Sequence, residues 1–160
     1  MDTFRLTNNP SIGCMIAQYI AETSLIEISL SGIFAEALDD NGVLTQAIFH
    51  RFQRLSQRIE VVENIISNLD DRHHLKKAID KNIIQKLKNV IELRNKFAHG
   101  VYMIDKKGSV YLCMGAVSER KFKRININIE FLVEELNEVI VLNNVLSGLG
   151  LQRRALKMQR

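Results

Sequence analysis

The sequence predicts a mainly α-helical fold: an antiparallel helical bundle of about four long helices, with a small β-hairpin or three-stranded insertion before the last helix. Three observations carry this expectation. Apolar residues recur at helical spacing through most of the chain, turn residues punctuate those runs, and the period becomes strand-like only between residues 101 and 127.

Each element follows from local chemistry. Asn9-Pro10-Ser11 is a helix start, because Asn caps free amides and Pro is tolerated in a first turn. From there Ile12, Met15, Ile16, Tyr19, Ile20, Ile26, Leu30, Ile33, Phe34 and Leu38 keep a helical stripe to about residue 38. Asp39-Asp40-Asn41-Gly42 is a turn. A second helix is expected from about Leu44 to Leu69 on the stripe Ile48, Phe52, Leu55, Ile59, Val62 and Ile66. Asp70-Asp71 closes the next loop and supplies an N-cap for a third helix from about His74 to Ala98, which Gly100 ends as the residue after the cap. Val101–Ile104 and Val110–Met114 flank Asp105-Lys106-Lys107-Gly108 as a hairpin, and Phe122 to Ile127 offers a third strand. Asn128 caps a last helix carrying Phe131, Leu132, Leu136, Val139, Ile140 and Leu146, expected to end near Ser147-Gly148 and leave a basic, mobile tail over 152–160.

At 160 residues and 46% hydrophobic content, the chain suits one domain spanning 1–160. Cys14 and Cys113 lie far apart in apolar contexts, so they read as buried thiols of a reducing compartment and form neither a disulfide framework nor a zinc site. No apolar run approaches the roughly 18 residues of a membrane span, and the N-terminus lacks a signal pattern, so the expectation is a cytoplasmic protein without a membrane partner. A net charge of +4 permits a polyanionic partner without requiring one.

The chemistry concentrates in Arg94-Asn95-Lys96-Phe97-Ala98-His99-Gly100 at the end of the third helix. Projected at about 100° per residue from Leu75, the apolar residues Ile79, Ile83, Leu87, Val90 and Ala98 fall in an arc from roughly 40° to 140°, and Arg94 falls inside it at about 100°. A guanidinium on that face is buried against a partner or faces an interface or cleft, and it expects an anion. His99 is about 140° further round and about 7.5 Å along the axis, so one straight helix does not aim both side chains at one atom. Either the helix ends before His99, or a second copy of the chain completes the site across a two-fold axis. The same residues are also what an ordinary helix stop contains, with cations offsetting the macrodipole before a glycine.

The arrangement Arg94-Asn95, three residues, then His99 near the end of a long helix resembles the Arg-x4-6-His signature of the HEPN superfamily (higher eukaryotes and prokaryotes nucleotide-binding domains). The order of elements around it is similar too. The resemblance implies a homodimeric, metal-independent endoribonuclease with Arg94, Asn95 and His99 as catalytic residues and no cofactor, of the kind found as toxins or phage-defence effectors. It also implies RNA as substrate and a possible antitoxin partner such as a small nucleotidyltransferase. His99 would transfer protons, Arg94 would hold the scissile phosphate, and Asn95 would orient the histidine or a phosphate oxygen. Catalytically silent members of that superfamily serve as dimerisation or binding modules, which is the alternative reading.

Further candidates for RNA contact are Arg51, Arg54 and Arg58, which share one face of the expected second helix, and Arg120, Lys121, Lys123 and Arg124 beside the hairpin. Their structural readings are a solvated helix face and an edge-strand device against aggregation. Tyr102 offers base stacking or hairpin packing. His73-His74 beside Asp70-Asp71 has no second cluster to complete a metal site, and His50 is isolated. No helix reads as a base-reading recognition helix, which disfavours a transcriptional regulator.

Overall fold

The computed structural model describes residues 2–39, 43–114 and 123–157, from 150 onward as backbone alone. The expected turn residues Asp40, Asn41 and Gly42, the candidate contacts Arg120 and Lys121, Phe122 at the start of the expected third strand, and the last three residues of the tail lie outside the described residues.

The fold is mainly α with a small antiparallel sheet before the last helix. In chain order the elements are β1 (Asp2–Thr3), a 3-10 turn (Leu6–Asn8), α1 (Pro10–Ala37), α2 (Val43–Phe49), α3 (Leu55–Asn68), α4 (His74–Ala78), α5 (Lys81–His99), β2 (Val101–Ile104), β3 (Val110–Met114), β4 (Lys123–Ile127) and α6 (Ile129–Lys157). The predicted start of α1 is realised: Asn9 Oδ1 accepts from the Ile12 amide at 3.3 Å with Pro10 in the first turn. Asn128 does the same for α6, accepting from the Phe131 amide at 2.8 Å.

Two of the expected long helices are broken. The stretch from Leu44 to Leu69 is two helices, because the chain leaves α2 after Phe49 and restarts at Leu55, where Gln57 Oε1 accepts from the Arg54 amide. No glycine or proline marks that break. Its cause is burial: Phe49 is fully buried against Phe34, and the freed Phe52 carbonyl accepts from Arg58 Nε at 2.8 Å. Ile48, expected on the apolar stripe, is exposed instead.

The stretch from His74 to Ala98 breaks at Ile79-Asp80, where Asp80 Oδ1 caps α5 by accepting from the Ile83 amide at 2.8 Å. Asp70 and Asp71 do not cap α4. Asp70 closes its own turn onto the Arg72 amide, Asp71 pairs with Lys76 Nζ, and His73 Nδ1 accepts from the Leu75 amide. Ser147-Gly148 does not stop the last helix, whose backbone stays helical to Lys157. A glycine costs a helix interior only about 1 kcal/mol, too little to end it.

Helix directions are mixed. α1 and α6 run the same way, since Glu22 meets Asn143 and Ser29 meets Ser147. α3 and α5 run oppositely, with Glu63 against Lys88 and Ser56 sharing a hollow with Asn95. The chain therefore turns back through α2 to begin α3 alongside the middle of α1. The core between them is built on Tyr19, Ile26, Leu30, Ile33, Leu87, Val139 and Leu146.

The sheet has the order β1-β2-β3-β4. Asp2–Thr3 adds a strand the sequence did not reveal, pairing Asp2 with Ile104 and Thr3 with Met103. The hairpin turn is as expected: Asp105 Oδ1 accepts from the Lys107 and Ser109 amides, and Gly108 takes the positive φ of 85° that favours glycine. Gly100 ends α5 as expected, though as the cap residue itself. Its backbone is extended, and a Cβ there would collide with Leu112 and stand 2.7 Å from the Lys96 carbonyl oxygen. The sheet packs that closely onto the end of α5. Among the described residues no helix is long and apolar enough to cross a membrane.

Candidate functional site

The end of α5 forms one wall of an open cavity of about 390 Å³ whose other walls are the middle of α1 and the start of α3. Arg94, Asn95 and His99 line it together with Arg54, Arg58 and Glu27. The local sequence explains how α5 presents them. Leu87, Val90 and Ile91 are buried, and Arg94 follows them by seven, four and three residues, so it lies on their face. Leu75 and Ile79, which helped define the expected arc, belong to α4 and its cap. The frame survives around Arg94, whose buried neighbours lie within α5, whereas Ala98, also placed on the expected arc, is exposed.

Where the apolar face reaches the cavity, the core stops and the guanidinium is half-buried. Tyr19 fixes this part of α5, donating to the Val90 carbonyl at 3.2 Å and meeting the Phe97 ring edge-on at 5.1 Å. Burial, then the charges of Glu135 and Glu138, push the Tyr19 hydroxyl well above its ordinary range, so it stays a neutral donor.

Arg94 Nη1 donates to Asn95 Oδ1 at 3.2 Å. An arginine has no acceptor, so Asn95 must present its oxygen there and keep both Nδ2 protons for something else. Among the described residues neither Arg54 nor Arg94 has a carboxylate at ion-pairing distance. Arg58 differs. It is buried, ion-paired with Glu27, bonded to the Phe52 carbonyl, and set over the Phe49 ring at 5.3 Å. The cavity thus carries three guanidiniums against one carboxylate, and only one guanidinium is neutralised.

His99 is the last residue of α5 and is exposed. The helix does not end before it, so the first of the two alternatives for His99 is not realised. Its side chain nevertheless lines the same cavity as Arg94, and it also borders a second hollow of about 420 Å³ with Glu92, Lys96, Val101, Cys113 and Met114. His99 stands on the ridge between the two.

The other candidates separate. Arg51 is exposed in the turn after α2, Arg54 precedes α3, and Arg58 lies inside α3, so they are not one helical stripe. Of the three, Arg54 alone is both exposed and on the cavity. Tyr102 is unavailable for stacking on a base: it is buried, donates to the Phe97 carbonyl at 2.9 Å, and burial pushes its hydroxyl up to about 12. Lys123 and Arg124 are exposed on β4. Cys113 is buried as expected, whereas Cys14 is exposed, because it falls on the outer side of α1.

His73 and His74 stack at 4.7 Å, and His74 Nε2 meets Glu36 Oε1 at 2.8 Å. Among the described residues no group of three or more metal-ligating side chains occurs. The cavity's α1 wall, Thr23, Ser24 and Glu27, was not legible as functional. The one available signal was polar residues interrupting an apolar stripe. No protein-family model, curated protein or solved structure matches this chain.

Proposed function

We propose that this protein is a metal-independent endoribonuclease whose scissile phosphate binds in the cavity at the end of α5. The observation that carries this reading is Arg94 and Arg54, both without a carboxylate partner among the described residues, on the same cavity as Asn95 and His99. Cations held at a concave site without counter-charge suit a phosphodiester, and a histidine beside them suits proton transfer near neutral pH.

The RNA 2′-oxygen attacks the phosphorus as its proton leaves to a base, and the P–O5′ bond breaks as the 5′-oxygen gains a proton. The products are a 2′,3′-cyclic phosphate and a 5′-hydroxyl. His99 serves one of these transfers, and Arg94 stabilises the charge on the pentacoordinate phosphorus. A second copy of the chain, apposed at the cavity mouth, supplies the other histidine. DNA binds and is not cut, since it lacks the nucleophile. A toxin or defence effector restrained by a small nucleotidyltransferase is the biological setting this activity fits.

The test is incubation of the purified protein with single-stranded RNA in EDTA. Cleavage is expected to fall about 100- to 1,000-fold in Arg94→Ala and in His99→Ala. Cleavage unchanged in both variants overturns the site. Strictly monomeric behaviour by light scattering at micromolar concentration overturns the second copy's part alone. A second reading, a phosphate-binding helical module without catalysis, is favoured by one feature: among the described residues nothing hydrogen-bonds the His99 ring to orient it. Phosphate-dependent stabilisation without cleavage of any RNA selects that reading.

A further inference from the structure

We infer that the second hollow beside His99 is a nucleobase subsite, which seats the base next to the scissile phosphate. The inference rests on the ribonuclease reading of the first cavity. The two hollows share Asn95 and His99, so a chain whose phosphate lies against Arg94 and which continues past His99 enters the second hollow.

The lining suits a base better than another phosphate. Val101 is about half exposed, Met114 is half-buried, and Gly100 has no side chain, so one wall is apolar and open. A thioether beside an aromatic ring makes a favourable contact, and a methionine adapts to rings of different size. Lys96 does not turn the hollow into an anion site, because its Nζ is held by Glu92 Oε1 at 2.6 Å, and that contact keeps the Glu92 carboxyl below its ordinary range.

The edge-reading group is Asn95. Its oxygen is occupied by Arg94, so it offers two N–H donors to a base carbonyl or ring nitrogen. One residue thereby couples the two hollows: its oxygen holds the phosphate-binding arginine while its amide reads the base. The volume, about 420 Å³, lies within the range of small-ligand pockets.

The experiment uses the full-length protein with 13C-labelled methionine methyl groups, with Met114 assigned through Met114→Leu. Uridine and adenosine 3′-monophosphates are titrated in parallel with inorganic phosphate. At least one nucleotide is expected to shift the Met114 methyl while leaving Met103 on β2 in place, and inorganic phosphate is expected to leave Met114 unmoved. Val101→Glu is expected to weaken nucleotide binding at least tenfold and leave phosphate binding unchanged. A Met114 response no larger with nucleotide than with phosphate overturns the subsite, even where phosphate binds. Absence of phosphate binding with a nucleotide response at Met114 overturns the phosphate assignment and keeps the subsite. No response to any probe overturns both.

Discussion

The cavity at the end of α5 and the cluster at the end of α1 each gather histidine and charged side chains, and they treat them oppositely. At the end of α1, Glu36 is buried and meets His74, His74 stacks on His73, and Asp71 holds Lys76. Every one of these groups has its partner within the chain, so the cluster joins α1 to α4 and asks for nothing more. At the end of α5, Arg94 and Arg54 have no carboxylate among the described residues, and His99 is exposed. The difference teaches that a histidine near charges is not by itself a site. A candidate site is where the fold leaves charge unbalanced on a concave surface.

That contrast breaks most visibly in activity. Arg94→Ala should abolish most cleavage with little change in melting temperature, because a half-exposed side chain with one hydrogen bond contributes little to folding. His74→Ala and Glu36→Gln should do the reverse, costing about 1 kcal/mol of stability in denaturant melts and leaving cleavage intact. Loss of cleavage in the second pair would show that the two clusters are coupled.

Arg58 sharpens the contrast within the cavity itself. It borders the same space as Arg94 but is ion-paired with Glu27 and capped by Phe49. Arg58→Met should lower stability by about 2 kcal/mol by urea unfolding, below the 3–5 kcal/mol of a fully buried pair, since Glu27 stays about one-third exposed. Retained stability in this variant would mean that the guanidinium is free after all.

Gly100→Ala tests how rigidly the end of α5 is held. Overpacking against Leu112 and Lys96 should cost about 1–3 kcal/mol and lower cleavage by displacing His99. The smallest effect concerns a carboxyl on α6 that does not line the cavity. Burial, then the charges of Glu138 and Glu134, raises the Glu135 carboxyl above its ordinary value. A raised carboxyl stabilises the fold when protonated and loses that contribution as pH rises through the folded value. Glu135→Gln should therefore raise the melting temperature at pH 7.5, with the gain shrinking as pH falls through the raised folded value and gone once pH is below the ordinary value of 4.5.

Part of the candidate site's geometry was readable because its determinants are local. Arg94's place on the apolar face depends on Leu87, Val90 and Ile91, all within seven residues, and the frame held although the expected helix was in fact two. The cavity was not readable. Its walls come from residues 23–27, 53–58 and 94–99, and the pair that commits Arg58 spans 31 positions. Tyr102 and Cys14 show the same limit, since spacing alone did not tell which side of an element the core would take.

The chain's own periodicity, caps and turns determined where helices and strands form: Asn9 before α1, Asn128 before α6, Asp105 and Gly108 in the hairpin. These are contacts between neighbours two to four residues apart, so they need no distant element to form. Tertiary structure alone decided the break after Phe49, the strand at Asp2–Thr3, the neutralisation of Arg58 and the exposure of Arg94 to a cavity. A helix breaks where burying a ring repays a few lost backbone bonds, and a charge is balanced or left open according to which distant element arrives beside it.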